Sequence, residues 1–125
     1  MSKRAAFYFD GFNIYHAIKD YNHEPYKWIN LKNIAKNMAS SLGQNVVIVK
    51  YFSALYEYDR DKVRRHEQYL KALELAGVQV ILGHYAEDSS KCHMCHGEYE
   101  RRTEKETDIN IALHATMDAV DNLYD

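Results

Sequence analysis

Three short apolar runs, Ala5–Phe9, Val46–Phe52 and Val78–Leu82, are separated by segments whose apolar residues recur every three or four positions. The runs carry β-branched and aromatic residues without alternation, which reads as strands buried on both faces. Strands that alternate with helices need crossover connections, so they lie parallel in one sheet with helices covering its faces. The predicted fold is therefore α/β, a three-layer α/β/α sandwich around a parallel sheet. At 125 residues the chain has room for one domain, 1–125.

The helices have readable ends. Ile14, Ala17, Ile18 and Tyr21 place a first helix up to about Tyr21, with Pro25 in the loop beyond it. Asn30 suits an N-cap before the stripe Leu31, Ile34, Ala35, Met38 and Leu42, and Gly43 suits the position just past its end. Asp59 is the expected cap of a third helix that turns Val63, Leu70 and Leu73 to the core and stops at Gly77. Residues 85–102 are polar and aperiodic, the pattern of a loop or small insertion. Thr103-Glu104-Lys105-Glu106 reads as a capping box opening the last helix. Ile109, Ala112, Leu113, Met117 and Val120 are expected to form its core-facing stripe.

A three-strand parallel sheet is thin, and the chain stops at Asp125 directly after a helix. The expectation is that it is the N-terminal part of a domain completed by a further strand. The sheet edge left open would offer pairing to a second copy, hence a homodimer.

Composition removes several function classes. Sixteen Lys and Arg face 18 Asp and Glu, a formal charge of −2, so any nucleic-acid affinity must come from a local patch. No apolar run approaches the roughly 20 residues of a membrane helix, and no export signal precedes the first strand. With two cysteines only, this points to a reducing, cytoplasmic compartment and no membrane partner. There is no P-loop and no Gly-x-Gly-x-x-Gly, which speaks against triphosphate or dinucleotide binding.

Candidate chemistry lies with carboxylates. Ligands of open parallel sheets bind at the carboxyl ends of the strands. Asp10 ends the first strand, Gly11 allows a tight turn, and Asn13 follows where its amide can reach the same metal or water. Asp10 fits equally as the cap of the helix that begins near Phe12. Asp108 shares a helical line with Ala112, Ala115 and Ala119, so partial desolvation is expected, and a desolvated carboxylate needs a cation or donor to stay charged. Its alternative is an early-turn acid favoured by the helix dipole. Glu104, one turn earlier on that line, is a candidate helper or an exposed first-turn acid. Asp118, Asp121 and Asp125 read as solvated surface. Carboxylates converging at the crevice would bind Mg2+ or Mn2+, and a metal-bound water would attack a phosphodiester in line.

Phe9-Asp10-Gly11-Phe12-Asn13-Ile14-Tyr15 resembles the opening motif of the NYN domain family, the LabA-like branch of PIN-like nucleases. Glu104-Lys105-Glu106-Thr107-Asp108-Ile109-Asn110-Ile111-Ala112-Leu113 is similar to a second motif of that family, and Tyr51-Phe52-Ser53-Ala54 and Gly77-Val78-Gln79-Val80 also look like it. The resemblance spans essentially the whole chain. It implies a PIN-like fold and metal-dependent endoribonuclease activity, with Asp10 and Asp108 as metal ligands, Asn13 orienting water or phosphate, and single-stranded RNA as substrate. The family continues into a strand bearing a Ser-Gly-Asp-Ser-Asp motif that this sequence lacks. The alternative is therefore a catalytically inactive RNA-binding or regulatory module on the same fold.

Arg60, Lys62, Arg64, Arg65 and Lys71 put five cations into twelve residues of one helix, enough to guide RNA. Asp59, Asp61 and Glu67 are interleaved, so a solvated mixed-charge face is the competing reading. Lys91, Arg101 and Arg102 flank the site from the insertion. Tyr8, Tyr15, Tyr56, Tyr58 and Tyr85 lie near strand ends or loops, where a tyrosine can stack a base or simply pack. Cys92-His93-Met94-Cys95-His96 matches a haem-attachment pattern, poorly suited to a chain without an export signal, and sits in no strand-to-helix turn of the redox kind. Structural Zn2+ held by Cys92, Cys95, His96 and a fourth ligand such as His84 or His93 is the better metal reading, with two free thiols as its alternative.

Overall fold

The computed structural model describes residues 2–21, 24–55 and 59–125; the side chains of 24, 84–90 and 99–105 are outside the description. Strand β1 (Arg4–Asp10) leads into helix α1 (Gly11–Tyr21), a 3-10 turn (Glu24–Trp28) and helix α2 (Leu31–Ser41). Strand β2 (Asn45–Leu55), helix α3 (Arg60–Leu75), strands β3 (Gln79–Lys91) and β4 (Glu98–Lys105) and helix α4 (Thr107–Val120) follow. The sheet order is β1-β2-β3-β4. The first three strands are parallel, as alternation with helices requires, and β4 returns antiparallel to β3.

Strand β2 sits between two neighbours with both faces covered, and Val49–Ala54 is accordingly buried without interruption. Its side chains alternate. Val49 and Tyr51, with Phe7 and Phe9 of β1, join a core made with Leu31 and Ala35 of α2 and Leu70 and Leu73 of α3. Lys50 and Phe52, with Tyr8, point the other way, toward His114 and Asp118 of α4. Helices thus cover both faces of the parallel sheet.

The predicted caps of α2 and α3 are present. Asn30 Oδ1 accepts the Asn33 N–H at 3.2 Å, and Asp59 Oδ1 accepts the N–H groups of Asp61 and Lys62 at 3.0 and 3.2 Å. Gly43 and Gly77 follow these helices with φ of +66° and +94°, conformations that cost glycine nothing. Within α2 the buried line is Leu31, Ala35 and Ala39, while Met38 and Leu42 are exposed. Pro25 lies inside the 3-10 turn and not in an irregular loop.

Three expectations are corrected. Residues 85–102 form most of an antiparallel hairpin, with Glu87 opposite Arg102 and Asp88 opposite Arg101. The residues of this ribbon are mostly polar, so the sequence displays no alternation of apolar and polar positions from which its strands could be read. Thr103–Lys105 belongs to β4, so the capping box does not form; α4 begins at Thr107, after Glu106 in a left-handed conformation (φ 74°) with no side-chain cap. Finally, α4 packs on the reverse side from that predicted. Ile109, Leu113, Met117 and Val120 are 54–80% exposed, while Thr107 and Asp118 are buried. The sheet face beneath α4 presents Tyr8 and Lys50, and a buried ammonium needs an acid opposite it.

Candidate functional site

Asp10 closes β1 opposite Phe52 of β2, at the carboxyl edge of the sheet. Its Oδ1 accepts the backbone N–H of Phe12 at 3.1 Å and of Asn13 at 3.3 Å, and its Oδ2 accepts the Asn13 side-chain amide at 2.9 Å. The capping reading is therefore realised, and Asn13 orients the carboxylate. A carboxylate offers about four lone-pair positions, so three donors leave a place for a further ligand. Gly11 has no positive φ; it is needed for space. A Cβ there would sit 2.5 Å from the Tyr51 ring and hydroxyl and 2.9 Å from the Phe52 carbonyl.

Helix α4 runs back along the sheet. His114 meets the Phe52 ring at 5.4 Å, Asp118 meets Tyr8 and Lys50, and Asn122 and Asp125 meet Arg4. Its first turn therefore lies at the same carboxyl edge as Asp10. Asp108, six residues before His114, stands about 9 Å further along the helix axis at 1.5 Å per residue. It is exposed, as are Ala112 and Ala119, so the expected desolvation is absent. Glu104 lies in β4 opposite Tyr85, not one helical turn before Asp108, and its side chain is outside the described residues. Among the described residues no three His, Cys, Asp or Glu side chains gather as a metal-sized group.

The strongest polar cluster is one the sequence reading assigned to solvent. Asp118 Oδ2 accepts the Lys50 ammonium at 2.6 Å and the Tyr8 hydroxyl at 2.7 Å. Lys50 Nζ is also 3.1 Å from His114 Nδ1, which must be the unprotonated ring nitrogen if the ammonium donates. The hydrogen bond from Lys50 holds the Asp118 carboxyl below its usual range, and burial with the Asp118 bond pushes the Tyr8 phenol up. The available signal was Lys50 itself, a cation inside an otherwise apolar buried strand. Asp125 is likewise engaged: Arg4 donates to it from backbone and guanidinium, which lowers its carboxyl to about 2. The Asp125 N–H in turn bonds the Arg4 carbonyl, so the outer edge of β1 is occupied at this end. Asp121 is exposed as expected.

Helix α3 divides the predicted basic patch. Arg60, Arg64 and Lys71 share one outward line with Glu67 among them, and Arg64 lies 4.0 Å from Asp61. Arg65 is on another side, where with Lys62 and His66 it borders a cavity of about 700 Å³. The cavity opens between α1, the 3-10 turn, the carboxyl end of β2 and α3. Gly11 and Phe12 reach it, but neither Asp10 nor Asp108 lines it. Ser53 Oγ is 3.3 Å from His66 Nε2 on its wall, and burial lowers the His66 pKa. Tyr15 also borders the cavity, whereas Tyr8 is turned to α4. Tyr56 and Tyr58, and the side chains of Tyr85, Arg101 and Arg102, are outside the described residues.

Cys92 and Cys95 lie in the turn of the hairpin. Cys92 N–H donates to the Gly97 carbonyl at 2.8 Å, and the His96 N–H returns to the Cys92 carbonyl at 2.9 Å. Backbone N–H groups of Cys95 and Met94, then the Cys95 side chain, hold the Cys92 thiol below its ordinary value. This is one half of a tetrahedral thiolate site. His93 and His96 are exposed, and the His84 side chain is outside the described residues.

Among the described residues no helix is long and apolar enough to cross a membrane. Compared with known proteins, the chain matches no family model, no curated protein and no solved structure.

Proposed function

We propose that this chain is a metal-dependent endoribonuclease of the NYN type, acting at the carboxyl edge of its parallel sheet. One observation carries the reading: Asp10, at the end of β1, and Asp108, in the first turn of α4, come from distant parts of the chain to the same edge. Their oxygens are the donors that Mg2+ or Mn2+ prefers, and water would supply the remaining ligands. Such an ion supplies an activated water and offsets charge on the phosphate. Asn13 keeps the Asp10 carboxylate oriented through its amide. The exposed cations on the outward line of α3, Arg60, Arg64 and Lys71, would hold the RNA backbone through screened, salt-dependent contacts.

A second reading, an RNA-binding module without cleavage, is favoured by the three hydrogen bonds that Asp10 already accepts. One experiment separates the two. The cleavage reading expects Mn2+-dependent hydrolysis of single-stranded RNA, reduced at least a hundredfold by Asp10→Asn and by Asp108→Asn. Salt-sensitive RNA binding with no cleavage at any Mn2+ concentration would instead establish the binding module. If the chain neither cleaves nor binds RNA, both readings fail.

A further inference from the structure

We propose that the cavity between α1, the 3-10 turn, β2 and α3 binds a nucleoside phosphate, presented either as a free nucleotide or as one residue of a single strand. This goes beyond the cleavage reading, because the acids of the carboxyl edge take no part in it.

Size and position come first. A volume of about 700 Å³ falls within the range of small-molecule sites, roughly 300–1,000 Å³. The cavity forms where β2 continues past its last β1 partner, Phe52, while the chain of β1 turns away into α1. Crevices at the carboxyl ends of parallel strands are where open α/β sheets bind ligands.

The lining then selects the ligand. Lys27, Lys62 and Arg65 border the cavity, and none of the described lining residues is acidic. The described lining carries three cations although the whole chain has a formal charge of −2, so this positive character is local. Arg65 has no acidic partner among the described residues. Aromatic rings stand beside these cations: Trp28 follows Lys27 in the 3-10 turn, and Tyr69 lies one turn beyond Arg65 on α3. Trp28 meets Tyr69 edge to face at 5.8 Å, and the Tyr69 hydroxyl is tied to the Ile29 carbonyl at 3.0 Å, which holds the pair in place. Trp28 remains 58% exposed, so its ring is accessible to a ligand in the cavity. Rings offer stacking to any base, and cations beside them take the phosphate. Ser53 and His66, paired at 3.3 Å, add neutral hydrogen-bonding groups suited to a base edge or a sugar hydroxyl. A simple anion would leave the rings unused, and an uncharged aromatic would leave the cations unused.

Trp28 is the only tryptophan of the sequence, so its fluorescence reports on this cavity directly. The full chain is titrated with uridine and adenosine monophosphates, a short oligouridylate, ribose 5-phosphate and inorganic phosphate. A saturable change is expected with nucleotide, weakened at least tenfold by Arg65→Glu, less by Arg65→Lys, and by added salt. Response to monophosphates assigns the site to free nucleotides; response to the oligonucleotide alone assigns it to a strand; either upholds the proposal. Equal affinity for inorganic phosphate, or no response to any nucleotide, overturns it. Asp10→Asn and Asp108→Asn should leave the titration unchanged, so loss of cleavage and loss of this site are read separately.

Discussion

Replacing Asp118 by Leu would leave the Lys50 ammonium buried under α4 with no counter-charge. The two side chains are 8% and 10% exposed and 2.6 Å apart, so solvent screens their attraction little. Removing one partner of such a pair costs about 3–5 kcal/mol, because the remaining charge keeps its desolvation penalty. Tyr8 loses its acceptor in the same variant, about 1 kcal/mol more. Lys50→Met should cost a similar amount for the mirror reason. The double variant Lys50→Met/Asp118→Leu places two apolar side chains in contact, and such replacements are often close to neutral. The effects should therefore be strongly non-additive, with a coupling of at least about 2 kcal/mol. Urea denaturation followed by circular dichroism reads this directly: at a slope near 2 kcal/mol/M, a loss of about 4 kcal/mol moves the midpoint by about 2 M. The pair also has an acid signature. The Asp118 carboxyl lies below its unfolded value, so its contribution is present above about pH 3.9 and lost as pH falls through the folded value. Single variants that each shift stability by under about 1 kcal/mol, or a double variant equal to their sum, would refute the buried pair.

Four further outcomes are expected. Gly11→Ala should cost about 1–3 kcal/mol or more in urea, because the new methyl meets the Tyr51 ring and the Phe52 carbonyl; an unchanged midpoint would contradict that packing. Asp10→Ala should lose about 1 kcal/mol of capping while Asp10→Asn loses less, so a common cost for both would argue against the Phe12 and Asn13 bonds. Burial holds His66 below its unfolded value of 6.5, so stability should fall as pH drops below about 6.5, where the unfolded chain takes up the proton first. His66→Gln should flatten that slope, measured as midpoint against pH. The lowered Cys92 thiol should take up Co2+ with a thiolate charge-transfer band that vanishes in Cys92→Ser/Cys95→Ser, and no band at pH 8 would leave the pair as free thiols.

What could be read in advance was local. Asn30 and Asp59 announced two helix starts through side chains that satisfy the N–H groups of their own first turn. Gly43 and Gly77 announced the matching ends, and the apolar run through Phe52 announced a strand covered on both faces. The site was legible to the extent that it sits on such signals: Asp10 ends a recognisable strand, and capping is a contact between neighbours in sequence. The hairpin was not legible, because its mostly polar residues show no alternation of apolar and polar positions. Glu104 was placed on the wrong element for the same reason, since Thr103 and Glu106 satisfy a capping pattern whichever way the backbone runs.

The amino-acid order by itself determined the succession of strands and helices, the parallel pairing of the first three strands, and the caps, since each depends on residues within a few positions or on the crossover that a helix imposes. Tertiary structure alone decided which side of α4 meets the sheet, because that depends on the charge of Lys50, more than fifty residues away in sequence, finding Asp118. It also decided that Lys62 and Arg65 part from the other cations of α3 to border a cavity with Trp28 from another element. A helical period describes how residues are arranged around an axis; what stands opposite each of them is set only when the elements pack.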